Sequence, residues 1–88
     1  ERNNLRLRRK ASPDARQKPG LIMQAHMDMV WEKAPHVVHD FKKEPLILEV
    51  SGDLLGTGGR TTLGADDGIG VALGLTIMEN PPAAHPEL

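Results

Sequence analysis

The residues best suited to chemistry are one histidine and three aspartates in two short segments. His26 and Asp28 directly follow an apolar run, and Asp66-Asp67 lie in a glycine-rich segment. In extended backbone, side chains two residues apart point to the same side, so His26 and Asp28 share a face. A neutral imidazole is a good zinc ligand, and a nearby carboxylate can hold its other ring nitrogen. The spacing therefore indicates a candidate metal ligand and its support, although His-x-Asp alone is also typical of a structural pair.

The Asp66-Asp67 pair has two interpretations. One carboxylate could cap a helix by accepting hydrogen bonds from free backbone N–H groups. The other could face a cation, because the positive helix N-terminus requires a surplus of negative ligands to hold one. The sequence indicates both functions and does not assign them to individual residues at this point.

Other candidate motifs do not fit known sites. The segment around Gly58-Gly59 lacks the G-x-x-x-x-G-K-[ST] order of a phosphate loop. Gly68-Ile69-Gly70 lacks the third glycine of the dinucleotide fingerprint. Two histidines of a central loop are expected to be exposed and not ligands, and the tail histidine is expected to have no partner: His36, His39 and His85.

Elements that could position these groups follow from periodicity and from breakers. Alternation predicts a half-buried strand over 4–8, and a nearly continuous apolar run predicts a doubly buried strand over 21–25. Segments 46–50 and 53–57 around Ser51-Gly52 predict a hairpin. A helix is predicted from Asp66-Asp67 to the stop at Asn80-Pro81-Pro82, and its nearly all-round apolar surface predicts burial.

The predicted helix contains three glycines, and polar or proline-containing stretches separate the predicted elements. Gly68, Gly70 and Gly74 each cost about 1 kcal/mol against alanine, which suggests close backbone approach to a sheet or a ligand. Residues 12–20 and 31–45 are predicted loops. Strands alternating with a buried helix predict an α/β layered domain.

Composition indicates one small domain or part of a larger one. The 88 residues are 39% hydrophobic but hold one Trp, one Phe and no Tyr, a small aromatic supply for a core. The absence of cysteine excludes disulfides, thiolate metal sites and a cysteine nucleophile. No apolar run approaches the roughly 18 residues needed to span a bilayer, and no signal-peptide pattern is present, so a soluble, cytoplasmic protein without membrane association is expected. The start at Glu1 instead of Met adds to the expectation of a piece of a longer chain.

Charge is distributed unevenly along the chain. Residues 1–18 carry seven basic and two acidic groups, whereas residues 19–88 carry four basic and ten acidic groups. A basic arm could bind nucleic acid, but no aromatic residues are interleaved there to stack on bases. A solvated strand with its loop is the simpler interpretation, and no nucleic-acid partner is expected.

Taken together, the segments 21–30 and 61–70 resemble the aminoacyl-histidine (Xaa-His) dipeptidases of the M20 metallopeptidases. Val38-His39-Asp40-Phe41 and Pro45 also match the stretch between those two motifs in that family. The similarity is close over residues 20–80 and looser over 1–10. It implies that the 88 residues are the N-terminal part of a catalytic domain of the zinc-exopeptidase type, with a mixed sheet covered by helices, here truncated and without a dimerisation domain.

The resemblance also implies roles for individual residues. His26 would bind one of two divalent ions, zinc with cobalt or manganese as alternatives. Asp28 would buttress and polarise His26 as the catalytic residue, and Asp66 would bridge the two ions. Asp67 would not be a ligand and would be free to cap the helix. Two metals about 3.5–4 Å apart would activate water for hydrolysis of a dipeptide with a C-terminal histidine.

The chain also departs from the family pattern. The family's adjacent glutamates, which supply the general base and a ligand, and its further Asp and His ligands lie beyond Leu88. Two protein ligands are fewer than the three usual for catalytic zinc. We therefore expect the parent to be a homodimeric hydrolase and this chain alone to be inactive. A non-catalytic binding or interaction module on the same scaffold is the alternative.

Overall fold

The computed structural model describes residues 3–88. In chain order it contains a 3₁₀ turn at Pro13–Ala15, strand β1 at Glu49–Ser51, strand β2 at Leu54–Gly56 and helix α1 at Ala65–Glu79. The combination of helix and strand confirms the mixed α/β character. The predicted mixed sheet covered by helices is not what residues 3–88 form, because their regular strands make one two-stranded antiparallel sheet and one α-helix. The first two residues of the basic arm lie outside the described part.

The hairpin was predicted correctly, with shorter strands than expected. Glu49 pairs with Gly56 and Ser51 pairs with Leu54, which leaves a two-residue turn. Gly52 occupies the first turn position with φ +59°, in the left-handed region that glycine adopts without steric cost. The turn residues therefore set the register of β1 against β2.

Helix α1 begins and ends where the sequence predicts. It is preceded by Gly64, whose φ of +82° turns the chain into the first turn, and it ends at Asn80, whose N–H donates to the Thr76 carbonyl at 2.9 Å. Pro81 and Pro82 then prevent continuation. The predicted burial is wrong: within the described residues no part of α1 is buried, and Ile69 is 61% and Leu73 59% exposed.

The two predicted strands near the N-terminal half are also wrong. Residues 4–8 and 21–25 belong to no regular strand. Leu21 is 53% and Ile22 91% exposed, although this run was predicted to be buried on both faces. The physical reason is the lack of neighbouring strands among residues 3–88, since apolar runs become buried strands only when flanking elements pair with them and cover them.

The C-terminal tail supplies a partial substitute for a neighbouring strand. Arg9 and Leu88 exchange two backbone hydrogen bonds of 2.7 and 2.9 Å, and the Ser12 N–H donates to the His85 carbonyl at 3.0 Å. Both contacts belong to one antiparallel register, because Ser12 lies three residues after Arg9 and His85 lies three residues before Leu88. On its other side the tail accepts a 2.8 Å hydrogen bond from the Leu21 N–H to the Glu87 carbonyl. The tail therefore lies between the basic arm and the segment that begins at Leu21.

Arginine side chains of the arm reinforce this arrangement. The Arg8 guanidinium makes two hydrogen bonds of 2.9 and 2.8 Å to the Glu87 carboxylate. This pairing raises the pKa of Arg8 and lowers the pKa of Glu87. Arg9 donates to the Met78 carbonyl at 2.6 Å, at the negative end of the α1 dipole. Part of the basic arm thus has structural partners within the chain.

Residues 3–88 do not enclose a core of their own. Ala15 is the one apolar residue that is buried among them, and the radius of gyration is 18.0 Å. A compact chain of this length has a radius of gyration of about 12 Å. No helix in the described residues has the length and apolar character to cross a membrane.

Candidate functional site

The two motifs converge because the segments beside them pair. The Thr62 N–H donates to the Glu32 carbonyl at 2.9 Å, and the Ala34 N–H donates to the Arg60 carbonyl at 2.8 Å. Thr62 adds a side-chain hydrogen bond to the Val30 carbonyl at 2.7 Å. The same antiparallel register leads to the site. Four residues before Glu32 lies Asp28, and four residues after Thr62 lies Asp66. The pairing of two loops therefore brings together residues that are about 40 positions apart.

His26 and Asp66 form the centre of the site. The His26 Nε2 lies 3.2 Å from the Asp66 Oδ1, and the two side chains are 52% and 96% exposed. His26 follows the apolar segment 21–25, and Asp66 lies at the irregular start of α1, with φ −96° and ψ 103°. The peptide bond that joins Asp66 to Asp67 is cis. An imidazole nitrogen and a carboxylate oxygen thus face each other at the end of a helix, open to solvent.

Asp28 orients the His26 ring mainly through its backbone. The His26 Nδ1 lies 2.9 Å from the Asp28 carbonyl oxygen and 3.6 Å from the Asp28 carboxylate. Because a carbonyl can only accept, Nδ1 carries the proton and donates it. This hydrogen bond, together with the Asp66 carboxylate, raises the pKa of His26. In the neutral ring, Nε2 then presents its lone pair to Asp66.

This donor set fits a cation. A neutral Nε2 and a carboxylate oxygen are both acceptors, so their approach to 3.2 Å is favourable only with a proton or a metal ion between them. Two ligands of a tetrahedral zinc ion, each bound at about 2.0–2.1 Å, lie about 3.3–3.4 Å apart. The observed separation is close to that value. The residues present can therefore supply one nitrogen and one oxygen ligand.

Asp67 makes different contacts from its neighbour. Its Oδ1 accepts a 3.1 Å hydrogen bond from the Gly70 N–H, three residues further into α1, and its Oδ2 accepts a 3.4 Å hydrogen bond from the His26 N–H. The first contact is the geometry of a helix N-cap. The second ties the histidine backbone to the start of the helix. Asp67 therefore caps α1 and positions His26.

Other histidines lie away from this pair. His36 is exposed, as expected. His39 is not exposed, contrary to expectation: its side chain is only 7% accessible, its Nδ1 lies 3.4 Å from Glu44, and its ring packs edge-on against Phe41. His85 does have a partner, since it is buried and its N–H donates to the Ser12 hydroxyl at 3.0 Å. The correction at His39 arises from residues two and five positions along the chain, whereas the correction at His85 arises from the distant Ser12.

The glycine-rich segment before the site forms a closed loop. Thr57 is buried, and its hydroxyl donates to the Thr61 carbonyl at 2.6 Å and accepts from the Thr61 N–H at 3.3 Å. Arg60 pairs with Glu49 of β1 at 2.6 Å. This loop holds the strand-like pairing of Lys33 with Thr61, which leads into the site. Within residues 3–88, no group of three or more His, Asp or Glu side chains could together hold a metal ion.

Two contributors to the site were not identified from the sequence. One is the backbone carbonyl of Asp28, since only its carboxylate was considered. The other is the pairing of residues 30–34 with 60–62, for which the β-branched Thr61-Thr62 pair is a weak signal. Backbone contacts of this kind depend on tertiary geometry more than on residue type.

Comparison with known proteins gives one informative match. Over 82 residues, or 93% of its length, the chain is 37% identical to the cytosol non-specific dipeptidase of Escherichia coli (strain K12). The chain spans 17% of the length of that relative. No family model matches the chain, and no solved structure matches it. The chain is therefore similar to a part of a dipeptidase.

Proposed function

We propose that this chain is part of a metal-dependent dipeptidase and contributes one histidine and one carboxylate ligand to its metal site. The supporting observation is the approach of the His26 Nε2 to the Asp66 Oδ1 at 3.2 Å, with the histidine tautomer set by Asp28. The identity of 37% with a dipeptidase supports a hydrolase of this class. The proposal therefore depends on a side-chain geometry suited to a cation and on sequence similarity to an enzyme that hydrolyses peptide bonds.

The residues have distinct roles in this proposal. His26 would hold one ion through Nε2, and the Asp66 carboxylate would be shared between the two ions. Asp28 acts by positioning: its carbonyl keeps the proton on Nδ1 of His26 and leaves Nε2 as the ligand atom. Asp67 keeps the start of α1 in place. When bound, two divalent ions, zinc with cobalt or manganese as alternatives, supply Lewis acidity and a water of lowered pKa.

The proposed substrates are dipeptides, and those with a C-terminal histidine are the first to be tested. The name of the E. coli relative describes that protein as non-specific, which favours a broader range. The same name describes that protein as cytosolic, and we propose a cytoplasmic location here too. A homodimeric parent follows from the family resemblance and is also part of the proposal.

We propose further that the chain alone is inactive. His26 and Asp66 supply two ligands, and catalytic zinc normally has three protein ligands. The expected result is no hydrolysis of β-alanyl-histidine or of a dipeptide lacking histidine, with zinc, cobalt or manganese added. Metal-dependent turnover by the purified chain would contradict this part.

Metal titration tests the ligand assignment. Calorimetric titration with Zn²⁺ should show affinity at least tenfold weaker for His26→Ala and Asp66→Ala than for the unchanged chain. His36→Ala is the matched control, because His36 is an exposed histidine away from the site, and its affinity should stay within twofold. Equal losses in all three variants would refute the assignment.

A non-catalytic binding module is the second candidate. The observation that favours it is the large exposed apolar surface, which includes Ile22 at 91% and Val38 at 95% exposure. Such surfaces mark interaction sites in folded proteins. The two candidates differ in their metal dependence: a binding module should bind its partner equally well after exhaustive treatment with a chelator.

A further inference from the structure

Met29 connects the segment that carries His26 to the turn that precedes helix α1. Its side chain is partly buried. A Cβ at Gly64 would lie 3.1 Å from the Met29 Sδ, so the sulfur occupies the space that a larger residue would need there. Gly64 has φ +82° and stands two residues before Asp66. The Met29 thioether therefore packs directly against the backbone that leads to Asp66.

The Thr62 hydroxyl is the second neighbour of this sulfur. It lies 3.9 Å from the Met29 Sδ and donates to the Val30 carbonyl at 2.7 Å. A hydroxyl has one proton to donate, and a thioether sulfur is a weak acceptor that does not compete with a carbonyl for it. The thioether thus leaves the Thr62 hydroxyl on Val30, where it supports the pairing of residues 30–34 with 60–62.

Oxidation of the sulfur would change both contacts. Hydrogen peroxide transfers one oxygen atom to a thioether: the O–O bond breaks, an S–O bond forms, the sulfur is oxidised to the sulfoxide and the peroxide is reduced to water. At Met29 the added oxygen needs space on a sulfur that is already packed against Gly64. A sulfoxide oxygen is also a polar acceptor, and it would attract the Thr62 hydroxyl away from the Val30 carbonyl.

We propose that Met29 is a site of reversible oxidation that controls the approach of His26 to Asp66. As the thioether, Met29 holds the two segments together; as the sulfoxide, it loosens their pairing and separates the two metal-binding side chains. Met29 is a positioning residue, because it acts through Gly64 and Thr62 and is not itself a ligand. The effect on metal binding rests on the proposed function, whereas the loosened pairing is measured without metal.

Met27 provides the matched control, because it is closer to His26 in the chain but does not share these contacts. It is 65% exposed, and among the described residues no hydrogen bond is made to its sulfur. Peroxide therefore reaches Met27 at least as readily as Met29. Oxidation of Met27 should have no effect on the pairing.

Zn²⁺ titration after oxidation tests the effect on the site. The whole chain is treated with hydrogen peroxide, the excess is removed, and mass spectrometry locates the sulfoxides. The affinity of the unchanged chain and of Met27→Leu should fall at least tenfold on treatment, and methionine sulfoxide reductases should restore it. The affinity of Met29→Leu should change less than twofold on the same treatment, since leucine fills a similar volume and has no sulfur.

Three results of this titration would overturn the proposal. They are equal losses on treatment in Met27→Leu and Met29→Leu, no loss in a chain that carries the sulfoxide at Met29, and a Met29 sulfur that peroxide does not oxidise. The restoration by the reductases keeps the test independent of the folding of either variant, because it is measured on the unchanged chain.

Amide exchange in the metal-free chain separates this inference from the proposed metal site. The Thr62 N–H donates to the Glu32 carbonyl at 2.9 Å, so it should exchange at least tenfold faster after oxidation of Met29. The Asn80 N–H, which donates to the Thr76 carbonyl, is the internal control and should keep its rate within twofold. An unchanged rate at Thr62 would overturn the inference and leave the metal site in place. Failure of the untreated chain to bind Zn²⁺ would instead refute the metal site, and the rate at Thr62 would still decide the effect of Met29.

Discussion

The Asp67 carboxylate accepts a hydrogen bond from the Gly70 N–H at 3.1 Å, and a side chain at position 70 would collide with that carboxylate. The preceding residue, Asp66, faces the His26 ring at 3.2 Å. The two adjacent aspartates thus have different partners. Gly70 leaves space for the Asp67 carboxylate and binds it at the start of α1. This contact helps to keep Asp67 on the helix while Asp66 faces His26.

The contact between Asp67 and Gly70 predicts different outcomes for two glycine-to-alanine changes in α1. Gly74→Ala should raise the free energy of unfolding by about 0.5–1 kcal/mol, because alanine favours helix and the site is open. Gly70→Ala should give no net rise, since displacement of the cap costs about 1 kcal/mol and offsets the same gain. Thermal unfolding followed by far-ultraviolet circular dichroism measures both. An equal rise in the two variants would show that the cap is not restricted by space.

The two aspartates should separate helix stability from metal affinity. Asp67→Ala removes the cap and should lower the free energy of unfolding by about 1 kcal/mol. Asp66→Ala, at a side chain that is 96% exposed, should change it by less than about 0.5 kcal/mol. Zn²⁺ affinity should follow the opposite order, with the larger loss in Asp66→Ala. The same order in both measurements would contradict separate roles.

The contact of Ser12 with Asp14 predicts an acid-dependent loosening of the tail. The Ser12 hydroxyl donates to the Asp14 Oδ1 at 2.7 Å, and this hydrogen bond lowers the pKa of Asp14. A lowered pKa in the folded chain means that ionised Asp14 stabilises the fold. That stabilisation is present above the ordinary pKa of about 3.9 and is lost as the pH falls through the folded value.

Amide exchange and NMR titration measure this effect. Protection of the His85 N–H, which donates to the Ser12 hydroxyl, should fall with acidification through that window. Ser12→Ala should raise the pKa of Asp14 toward its ordinary value, whereas Ser51→Ala in β1 should leave the pKa of Asp14 unchanged. If Ser12→Ala left that pKa in place, the hydroxyl would not be its cause.

The buried Thr57 should matter more than an exposed threonine of α1. Thr57→Val keeps the shape but loses both hydrogen bonds to Thr61, which should lower the free energy of unfolding by about 1–2 kcal/mol. Thr76→Val is the control: its hydroxyl donates to the Ala72 carbonyl on an exposed helix face, and the change should stay within about 0.5 kcal/mol. Chemical denaturation of both variants compares them. A similar small effect at both positions would show that the 57–61 loop does not depend on this hydroxyl.

Local signals in the sequence predicted those parts of the fold that depend on near neighbours. The turn at Gly52 and the proline stop after Asn80 act within a few residues, and both the hairpin and α1 were located correctly. The capping interpretation of the aspartate pair also depended on local chemistry, and the structure assigns the cap to Asp67. The strands over 4–8 and 21–25 were predicted from patterns whose meaning depends on distant partners, and residues 3–88 do not supply those partners.

The sequence by itself determined the residue types at the site, the two boundaries of α1 and the position of the hairpin, because propensity, capping and turn chemistry act over a few residues. Tertiary structure alone decided that the His26 ring meets Asp66 and not Asp67, and that His85 is covered. Those outcomes depend on the pairing of 30–34 with 60–62 and of the tail with the arm. Such pairings join residues tens of positions apart through backbone groups, which every residue type carries, so the sequence contains little local trace of them.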